Sequence, residues 1–519
     1  MTKILTLYDT FTRSLKNVEI SGTLVRAASQ PSHLYGSMYI CGPTVYADSH
    51  IGHALTYIRA DIFKRIMKRY FNITLVTVMN ITDIDDKILN EVQTRLKPNE
   101  HVASEPSSHP FRKISEHYYK SFCDDMKKIR VQPPDLTFKV SDHVDLIMNF
   151  VRRLEKAQST YTTSSGDVHF SVTSVPNYVG RRDPRDSRAK IGEKRDPRDF
   201  VLWKASKPGE PVWNYRSLDG HDIPGRPGWH VQCSAIASSV FGNKLDFHFG
   251  GKDLIFPHHY NEEACCCAFH QLDTSESLHV WVKHWLHTSH IIYRDTKMSK
   301  SIGNVMSVKN FIDRASVNAL RLLCIVHHHR TDIVFSGEVL DKVKSLDHKI
   351  SAFLSLLSTK IQSIASGNSE NPDESRGCSK TILNETQQEI LDGICDDLDL
   401  HRGILSIQEL IKHIYATGID NLEARDIVCI WYLLRDWCTA FGLEYGPISG
   451  AHDESLLNLL KVFRQQVRSW SLQELRNRPE SKDELLKLLK YCDDVRSQAD
   501  EAGFVLTDAK STDWKSCDR

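Results

Sequence analysis

The 519-residue sequence predicts an α/β fold with a parallel, Rossmann-like sheet, an insertion between the two halves of that sheet and a long helical region after it. Three observations support this prediction. Residues 38–79 alternate strand, helix and strand patterns. Residues 97–198 break the alternation with polar and charged sequence, and residues 336–491 carry apolar residues at helical spacing.

The first elements come in β-α-β order. Met38–Ile40 is an apolar run that predicts a strand, Ala54–Tyr70 has the apolar spacing of a helix, and Ile73–Met79 predicts a second strand. Strands joined through a helix pair in parallel. The expected segments are the first half of the sheet domain, an inserted connective segment, the second half and a helical region: 1–96, 97–198, 199–335 and 336–519.

Composition restricts the class of protein. The 66 basic and 66 acidic residues balance, so any contact with nucleic acid must come from local patches. No apolar run approaches the roughly 18 to 20 residues that span a bilayer, which excludes a membrane protein. Thirteen irregularly scattered cysteines show no disulfide framework and favour a reducing compartment.

Two short segments predict a phosphate site. His50–His53 (HIGH) lies after a glycine-bearing turn at the start of the predicted helix, where backbone N–H groups and the positive end of the helix dipole face an anion. Lys297–Ser301 (KMSKS) gives a flexible loop whose two ammonium groups and two hydroxyls can close over a polyphosphate.

Four residues predict a zinc site. His258 and Glu262 are four apart, which puts an imidazole and a carboxylate on one face of a helix. A pair with this spacing is more often a surface helix pair, but Cys41 and Cys233 lie in the segments that also carry the nucleotide motifs. Thiolate, imidazole and carboxylate are the donors that zinc prefers.

Two further runs are left out of the predicted site. Cys265–Cys267 continues the helix begun at His258, so its side chains diverge, and buried free thiols are expected. The side chains of His327–His329 diverge in the same way, and no partner cluster is expected near them.

At these motifs the chain resembles the class I aminoacyl-tRNA synthetases, and further segments narrow the resemblance to cysteinyl-tRNA synthetase, closest to its animal mitochondrial branch. It covers residues from about Leu5 to about Ser336 with high specificity and continues more loosely to the C-terminus. The matching segments are Cys41–Tyr46, Asn80–Lys87, Asp199–Ala205, Gly225–Ala235 and Asp253–His259.

The resemblance implies a reaction and a role for each part of the chain. Cysteine would be activated by ATP to an adenylate, with Mg²⁺ assisting, and transferred to tRNA(Cys), releasing AMP and pyrophosphate. The parallel-sheet halves would form the catalytic domain, and residues 336–519 would bind a GCA anticodon. The residues implied in ATP binding are His50, Gly52, His53, Lys297, Ser299 and Lys300, of which His50, His53, Lys297 and Lys300 would act in catalysis.

One zinc ion per chain would then separate cysteine from serine. A thiolate binds zinc readily, whereas a hydroxyl would need a costly deprotonation. Such bonding reaches selectivity of roughly 10⁴ to 10⁵, so no editing domain is expected. A purely structural zinc is the alternative. The resemblance also implies Thr82, Trp229 and Asp253 near the amino acid, although Trp229 can pack on its own loop and Asp253 can be an N-cap.

Alternatives concern the acceptor and the compartment. A relative that ligates cysteine to an aminosugar needs no long helical region, and an inactive RNA-binding paralogue would not retain both motifs and all four donors. A monomer is expected. The start at Leu5–Thr10 matches the family's usual opening without a visible presequence, yet Cys233–Ser238 and Val462–Arg468 resemble the mitochondrial branch. The mitochondrial matrix is therefore expected, with the cytoplasm as the alternative.

Several positions depart from the family pattern. Leu55, Phe249 and Tyr260 stand where relatives usually carry Arg, Gly and Glu. The segment Lys87–Glu91 retains only the first lysine of a motif associated with a secondary persulfide-forming activity, so that activity is not carried over.

Overall fold

The structure is a computed structural model in which the described residues are 3–20, 22–26, 33–95, 104–178, 193–293, 296–297, 305–366, 380–446, 464–475 and 482–501. They group into two compact units. The first comprises Met1–His348 and Glu370–Glu444, and the second Lys349–Ser369 and Tyr445–Arg519. The boundaries predicted at residues 96, 198 and 335 stay predictions.

The secondary structure has the following bounds. The strands are β1 Thr6–Asp9, β2 Ser14–Asn17, β3 Glu19–Ile20, β4 Thr23–Leu24, β5 Leu34–Ile40, β6 Ile73–Ile81, β7 Leu136–Lys139, β8 Thr160–Thr162, β9 Val168–Phe170, β10 Phe200–Ala205, β11 Trp213–Arg216, β12 Asp222–Pro227, β13 Leu245–Gly251, β14 Val282–Thr288, β15 Ile291–Tyr293, β16 Thr296–Lys297 and β17 Ile333–Val334. The helices are α1 Ile51–Phe71, α2 Asp86–Arg95, α3 Phe111–Lys128, α4 Val144–Lys156, α5 Trp229–Phe241, α6 Tyr260–His270, α7 Val308–Ile312, α8 Val317–Val326, α9 Gly337–Ala365, α10 Lys380–Cys395, α11 Leu400–Thr417, α12 Ala424–Ala440, α13 464–475 and α14 Lys482–Glu501.

A five-stranded parallel sheet lies at the centre of the first unit, in the order β14-β13-β5-β6-β7. The predicted α/β class is confirmed. Helix α1 joins β5 to β6, and this crossover makes the two strands parallel. β6 and β13 are almost continuously buried, as expected of strands that helices cover on both faces.

Residues 97–198 contribute to two sheets. β7 pairs in parallel with β6, from Val78 opposite Leu136 to Ile81 opposite Lys139. A separate antiparallel sheet has the order β11-β12-β10-β9-β8 and draws strands from both sides of residue 198. The side of this sheet near α4 and α5 joins the main apolar core of the unit.

The predicted C-terminal helices are also present. In the first unit, α10 packs on α11, and α12 and α8 pack on α1. In the second unit, Arg464 of α13 donates to the Cys492 carbonyl of α14 at 2.7 Å. Among the described helices, none combines the length and apolar character needed to cross a bilayer.

Candidate active site at the carboxyl ends of the parallel strands

A pocket of about 600 Å³ lies where the parallel strands end. Cys41 follows β5, Thr82 follows β6, and Asp253 lies two residues after β13. β6, the next strand of this sheet along the chain, pairs with one edge of β5, and β13, from later in the chain, pairs with the other edge. Ligands of open α/β sheets bind at such a switch point, outside the carboxyl ends of the strands.

A glycine lets the end of β5 approach β6 closely. Gly42 donates its N–H to the Asn80 side chain at 2.9 Å, and a Cβ on Gly42 would stand only 1.6 Å from the Asn80 carbonyl oxygen. No other residue fits this approach. It holds Cys41, which is 5% exposed, against the floor of the pocket.

The structure brings the four predicted zinc donors together. Cys41 Sγ lies 3.7 Å from Cys233 Sγ and 3.5 Å from Glu262 Oε1. His258 Nε2 lies 2.8 Å from Glu262 Oε1 and 3.5 Å from Cys233 Sγ. All four residues are buried. Donors around a tetrahedral zinc ion with bonds of about 2.0–2.3 Å lie about 3.3–3.8 Å apart. The three distances that involve sulfur fall in this range, whereas His258 and Glu262 lie closer, at hydrogen-bond distance.

A local irregularity presents two histidines to this cluster. Residues Ile255–His259 form an irregular turn with a kink at Phe256, whose dihedrals are extended, and α6 starts at Tyr260. The i,i+4 pair His258–Glu262 forms as predicted. His259 also faces the cluster, with Nε2 at 3.2 Å from Cys41 Sγ, and the sequence interpretation missed it. The signal was present as a histidine doublet three and four residues before a glutamate.

A hydrogen-bond relay fixes the tautomer of His259. The Thr10 hydroxyl donates to the Trp285 carbonyl at 3.1 Å, so its oxygen accepts from His287 Nδ1. Burial holds the pKa of His287 at about 3, so the ring is neutral and its Nε2 accepts from His259 Nδ1 at 2.6 Å. Burial also lowers the pKa of His259 well below its ordinary value. The lone pair on His259 Nε2 therefore faces Cys41 Sγ.

The two thiols differ in acidity. Burial, followed by the hydrogen bond to Cys233, raises the pKa of Cys41 well above its ordinary value. Burial opposes ionisation of Cys233 as well, but the hydrogen bond from Cys41 and the nearby His258 lower its pKa. The carboxylate of Glu262 accepts from His248 Nε2 at 2.9 Å. Cys233 is therefore the more readily ionised thiol, and Cys41 would have to lose its proton for both to bind a metal ion as thiolates.

The predicted amino-acid residues line the same pocket. The Trp229 ring stacks on His258 with centroids 4.2 Å apart and is 39% exposed, so it forms a wall between the donors and solvent. Thr82 accepts from Asn80 Nδ2 at 3.1 Å and is buried. Asp253 Oδ1 lies 3.1 Å from His290 Nε2 at the pocket rim. Their substrate roles stay predictions.

His50, Gly52 and His53 of the first predicted phosphate motif also line this pocket. His50 caps α1, with Nδ1 accepting from the His53 N–H at 3.3 Å, so the neutral ring carries its proton on Nε2 and can donate it. The two rings stack with centroids 3.8 Å apart. Gly52 leaves room for them, because a Cβ there would stand 2.9 Å from the His50 ring.

The second phosphate motif is described only in part. Lys297 ends β16, which pairs with β15, and nothing is described of its side chain. Ser299 and Lys300 lie outside the described residues. Their predicted contact with ATP stays a prediction.

The departures from the family pattern lie in packed positions. Leu55 is 0% exposed in α1, and Phe249 is 3% exposed in β13. Tyr260 packs on Phe11 with ring centroids 4.3 Å apart. Within the described part of the chain, none of the three lines the pocket.

The runs left out of the site behave differently. Cys265, Cys266 and Cys267 are buried free thiols, as expected. The prediction that His327–His329 has no partner cluster is wrong, because Asp397 lies 3.5 Å from His328 Nε2 and 3.7 Å from His329 Nε2. The tertiary fold brings in a residue that is distant in sequence. Arg330 also binds this carboxylate, at 2.7 Å, and its charge disfavours a cation there.

Known proteins share this sequence over nearly its whole length. Residues 29–345 match the family described as tRNA synthetases class I (C) catalytic domain. The cysteine–tRNA ligase of Encephalitozoon cuniculi is 33% identical over 91% of this chain and 92% of its own length. That of Thermococcus gammatolerans is 31% identical over 96% and 99%. A Xenopus tropicalis protein named "Probable cysteine–tRNA ligase, mitochondrial" is 32% identical over 93% and 86%.

Solved structures share the fold at low sequence identity. Mycobacterium tuberculosis methionyl-tRNA synthetase, in complex with methionyl-adenylate, aligns with a TM-score of 0.53 at 12% identity, over 79% of this chain and 89% of that one. The ternary complex of Agrobacterium radiobacter LeuRS with tRNA and LeuAMS aligns with a TM-score of 0.55 at 9% identity, over 81% and 88%. Together with the sequence matches, they lead to one conclusion: the chain belongs to the cysteine–tRNA ligase family of class I aminoacyl-tRNA synthetases.

Proposed function

We propose that this chain ligates L-cysteine to tRNA(Cys) at the expense of ATP, through a cysteinyl-adenylate, and releases AMP and pyrophosphate. Relatives matched over nine-tenths of the chain carry the name cysteine–tRNA ligase. The observation that carries the proposal is chemical. Two buried thiols and an imidazole, with the Glu262 carboxylate beside them, line a pocket that a histidine-capped helix start also lines.

The donor set supports a zinc ion held by Cys41, Cys233, His258 and Glu262. The Cys41 thiol lies within 4 Å of both the Cys233 thiol and the Glu262 carboxylate, and ionising these buried groups together is costly without a cation. When bound, zinc supplies a soft Lewis acid that prefers the thiolate of cysteine to the hydroxyl of serine. Trp229 would form a wall of the pocket beside these donors, and Asp253 would pair with the substrate ammonium group.

The other part of the pocket supports nucleotide activation. The carboxylate of cysteine would attack the α-phosphorus of ATP in line, with pyrophosphate as the leaving group. His50 and His53 would donate hydrogen bonds to the phosphate oxygens as charge builds up. Lys297, Ser299 and Lys300 would bind the β- and γ-phosphates, which Mg²⁺ accompanies. Loss of one such donor typically lowers the rate about 10²- to 10³-fold.

Pyrophosphate exchange tests activation and metal-based selectivity together. Exchange is measured with cysteine and with serine on protein of known zinc content and on Cys233→Ser, with Cys395→Ser as the matched control at a buried thiol outside the site. We expect exchange with cysteine alone, lost with zinc and in Cys233→Ser, and kept in Cys395→Ser. Exchange that survives zinc removal would make the metal structural, and no exchange in the native protein would refute the proposal.

The acceptor and the compartment complete the proposal. A tRNA with a GCA anticodon would be bound through residues 336–519, and a single anticodon substitution in the transcript should abolish charging while cysteine-dependent exchange continues. The Xenopus tropicalis and Dictyostelium discoideum relatives are named mitochondrial, which supports a location in the mitochondrial matrix, with the cytoplasm as the alternative. Fractionation of cells that express the full-length native gene tests this, and recovery in the cytosol alone would contradict it.

A further inference from the structure

A second cavity lies behind the candidate active site, within the first unit. It measures about 560 Å³ and opens between α1, β6, α3 and residues 130–134. Its size and apolar lining are those of small-molecule sites in proteins. The apolar side chains of the lining include Ile40, Tyr57, Met79, Phe122 and Met126.

The charged groups of this cavity favour an anion. The basic residues Lys64, Arg65, Lys127 and Arg130 line it together with the carboxylate of Asp61. Lys64 already pairs with Asp135 and Arg130 with Glu444, each at 3.2 Å. Asp61 is already bound by Arg65 at 2.8 Å and by the buried guanidinium of Arg321. Lys127 is exposed in the last turn of α3 and forms no ion pair with another described residue. The cavity therefore combines an apolar interior with an available ammonium group.

One side chain separates this cavity from the candidate active site. Tyr57 lines both cavities. Its hydroxyl donates to the carbonyl of Cys41 at 3.3 Å, and its ring packs edge-on against Phe122 with centroids 5.1 Å apart. A molecule that displaces Phe122 or Tyr57 therefore acts on the backbone of a proposed zinc donor.

We propose that this second cavity binds a small amphipathic anion, an apolar body carrying one carboxylate or sulfonate, and that Tyr57 couples its binding to that of cysteine. Such coupling is reciprocal, so cysteine must change the affinity for the anion by the same factor. The coupling, but not the cavity itself, rests on the proposed function.

The binding test uses the fluorescent sulfonate 8-anilinonaphthalene-1-sulfonate on the full chain. We expect one saturable site, from which decanoate displaces the probe if aliphatic carboxylates also fit. Met126→Trp fills the cavity and should weaken binding about tenfold or more. Lys127→Glu should weaken it about three- to fivefold, as for an exposed ion pair, while its neighbour Lys128→Glu, outside the lining, should not. Unchanged affinity in both Met126→Trp and Lys127→Glu would overturn the proposal.

The coupling test repeats the titration with saturating L-cysteine. We expect the dissociation constant of the probe to change severalfold, and Tyr57→Phe, which lacks the bond to the Cys41 carbonyl, to reduce that change. Equilibrium dialysis of labelled cysteine shows separately whether cysteine binds. If it binds and the probe affinity stays the same, the coupling is refuted; if it does not bind, the proposed function fails while the binding test still decides the cavity.

Discussion

At the residue scale, Thr10 is the outermost member of a hydrogen-bond relay that reaches the predicted zinc donor Cys41. Its hydroxyl accepts from His287, which in turn fixes His259 with a lone pair facing Cys41. Outer partners of this kind typically contribute 10- to 100-fold in metal affinity. Thr10 acts through His287 on His259, which is not one of the four proposed ligands, so we expect Thr10→Val to weaken zinc binding by less than that factor. Chelator competition measures this loss. Thr10→Ser keeps the hydroxyl and should bind as the native protein does; equal affinity in Thr10→Val would contradict the relay.

A buried histidine should make the protein sensitive to acid. Burial lowers the pKa of His284 from 6.5 to about 4. Between these two pH values the imidazole is protonated in the unfolded chain and neutral in the folded chain. Its contribution to stability is present above pH 6.5 and is lost as the pH falls toward 4. We expect this group to lower the free energy of unfolding by about 2 kcal/mol between pH 7 and pH 5.

The check is urea unfolding of native protein and His284→Gln at both pH values. Glutamine can still accept the 3.4 Å hydrogen bond from the Glu19 N–H but does not titrate. The other buried histidines remain in both proteins, so their effects cancel. An equal loss of stability in the two proteins would show that His284 is not the group responsible.

The individual donors were largely predictable from sequence, and His259 was not. His258 and Glu262 are held by helical spacing, which a sequence displays directly. His259 lies in the irregular turn just before α6, where Phe256 departs from helical dihedrals. Its position three residues before Glu262 puts it near that carboxylate, but helical spacing does not show that its ring faces Cys41, which comes from a distant part of the chain.

At the scale of elements, Arg321 joins α8 to three other parts of the first unit. It is fully buried, pairs with Asp61 of α1, and donates to the carbonyls of Phe441 at 2.8 Å and Ile129 at 3.1 Å. Removing one partner of a buried ion pair typically costs about 3–5 kcal/mol. We expect Arg321→Leu to lower the free energy of unfolding by that amount.

Urea unfolding measures this loss, and Arg65→Leu is the matched control. Arg65 binds the same carboxylate of Asp61 but is partly exposed, so its loss should cost less. Arg321→Lys keeps the charge and loses the planar set of donors, so an intermediate result is expected. Equal effects of Arg321→Leu and Arg65→Leu would show that burial of the pair does not matter here.

Elements with strong periodicity were predicted well, and short edge elements were missed. Helix α1 runs from Ile51 to Phe71 where the sequence predicted Ala54–Tyr70, because capping by His50 starts the helix three residues earlier. β7 has four residues, none of them buried, at the edge of the parallel sheet. It alternates apolar Leu136 and Phe138 with polar Thr137 and Lys139, but this signal is only four residues long, and its pairing with β6 identifies it.

At the scale of the whole molecule, the two halves of the sheet meet at the proposed zinc site. Cys41 follows β5 in the first half of the sheet domain. Cys233, His258 and Glu262 lie in or next to helices α5 and α6 of the second half. The sequence predicted this meeting because Cys41, Cys233 and His258 lie in segments that resemble one family, and Glu262 follows His258 by four residues. Composition does not predict it, since the balanced charges show nothing of a local cluster.

Zinc should therefore stabilise the entire first unit and not only its active site. An ion that binds the folded chain far better than the unfolded chain adds about 4 kcal/mol when its concentration is a thousand times its dissociation constant. Withdrawing it leaves two buried thiols and the Glu262 carboxylate close together without a counter-charge. We expect a chelator to lower the Tm of the native protein by several degrees, zinc to restore it, and Mg²⁺ to have no effect. Cys233→Ser should respond weakly to both treatments. A native Tm that does not change with the chelator would mean that hydrogen bonds within the cluster hold it together without metal, and the zinc would then act only on the substrate.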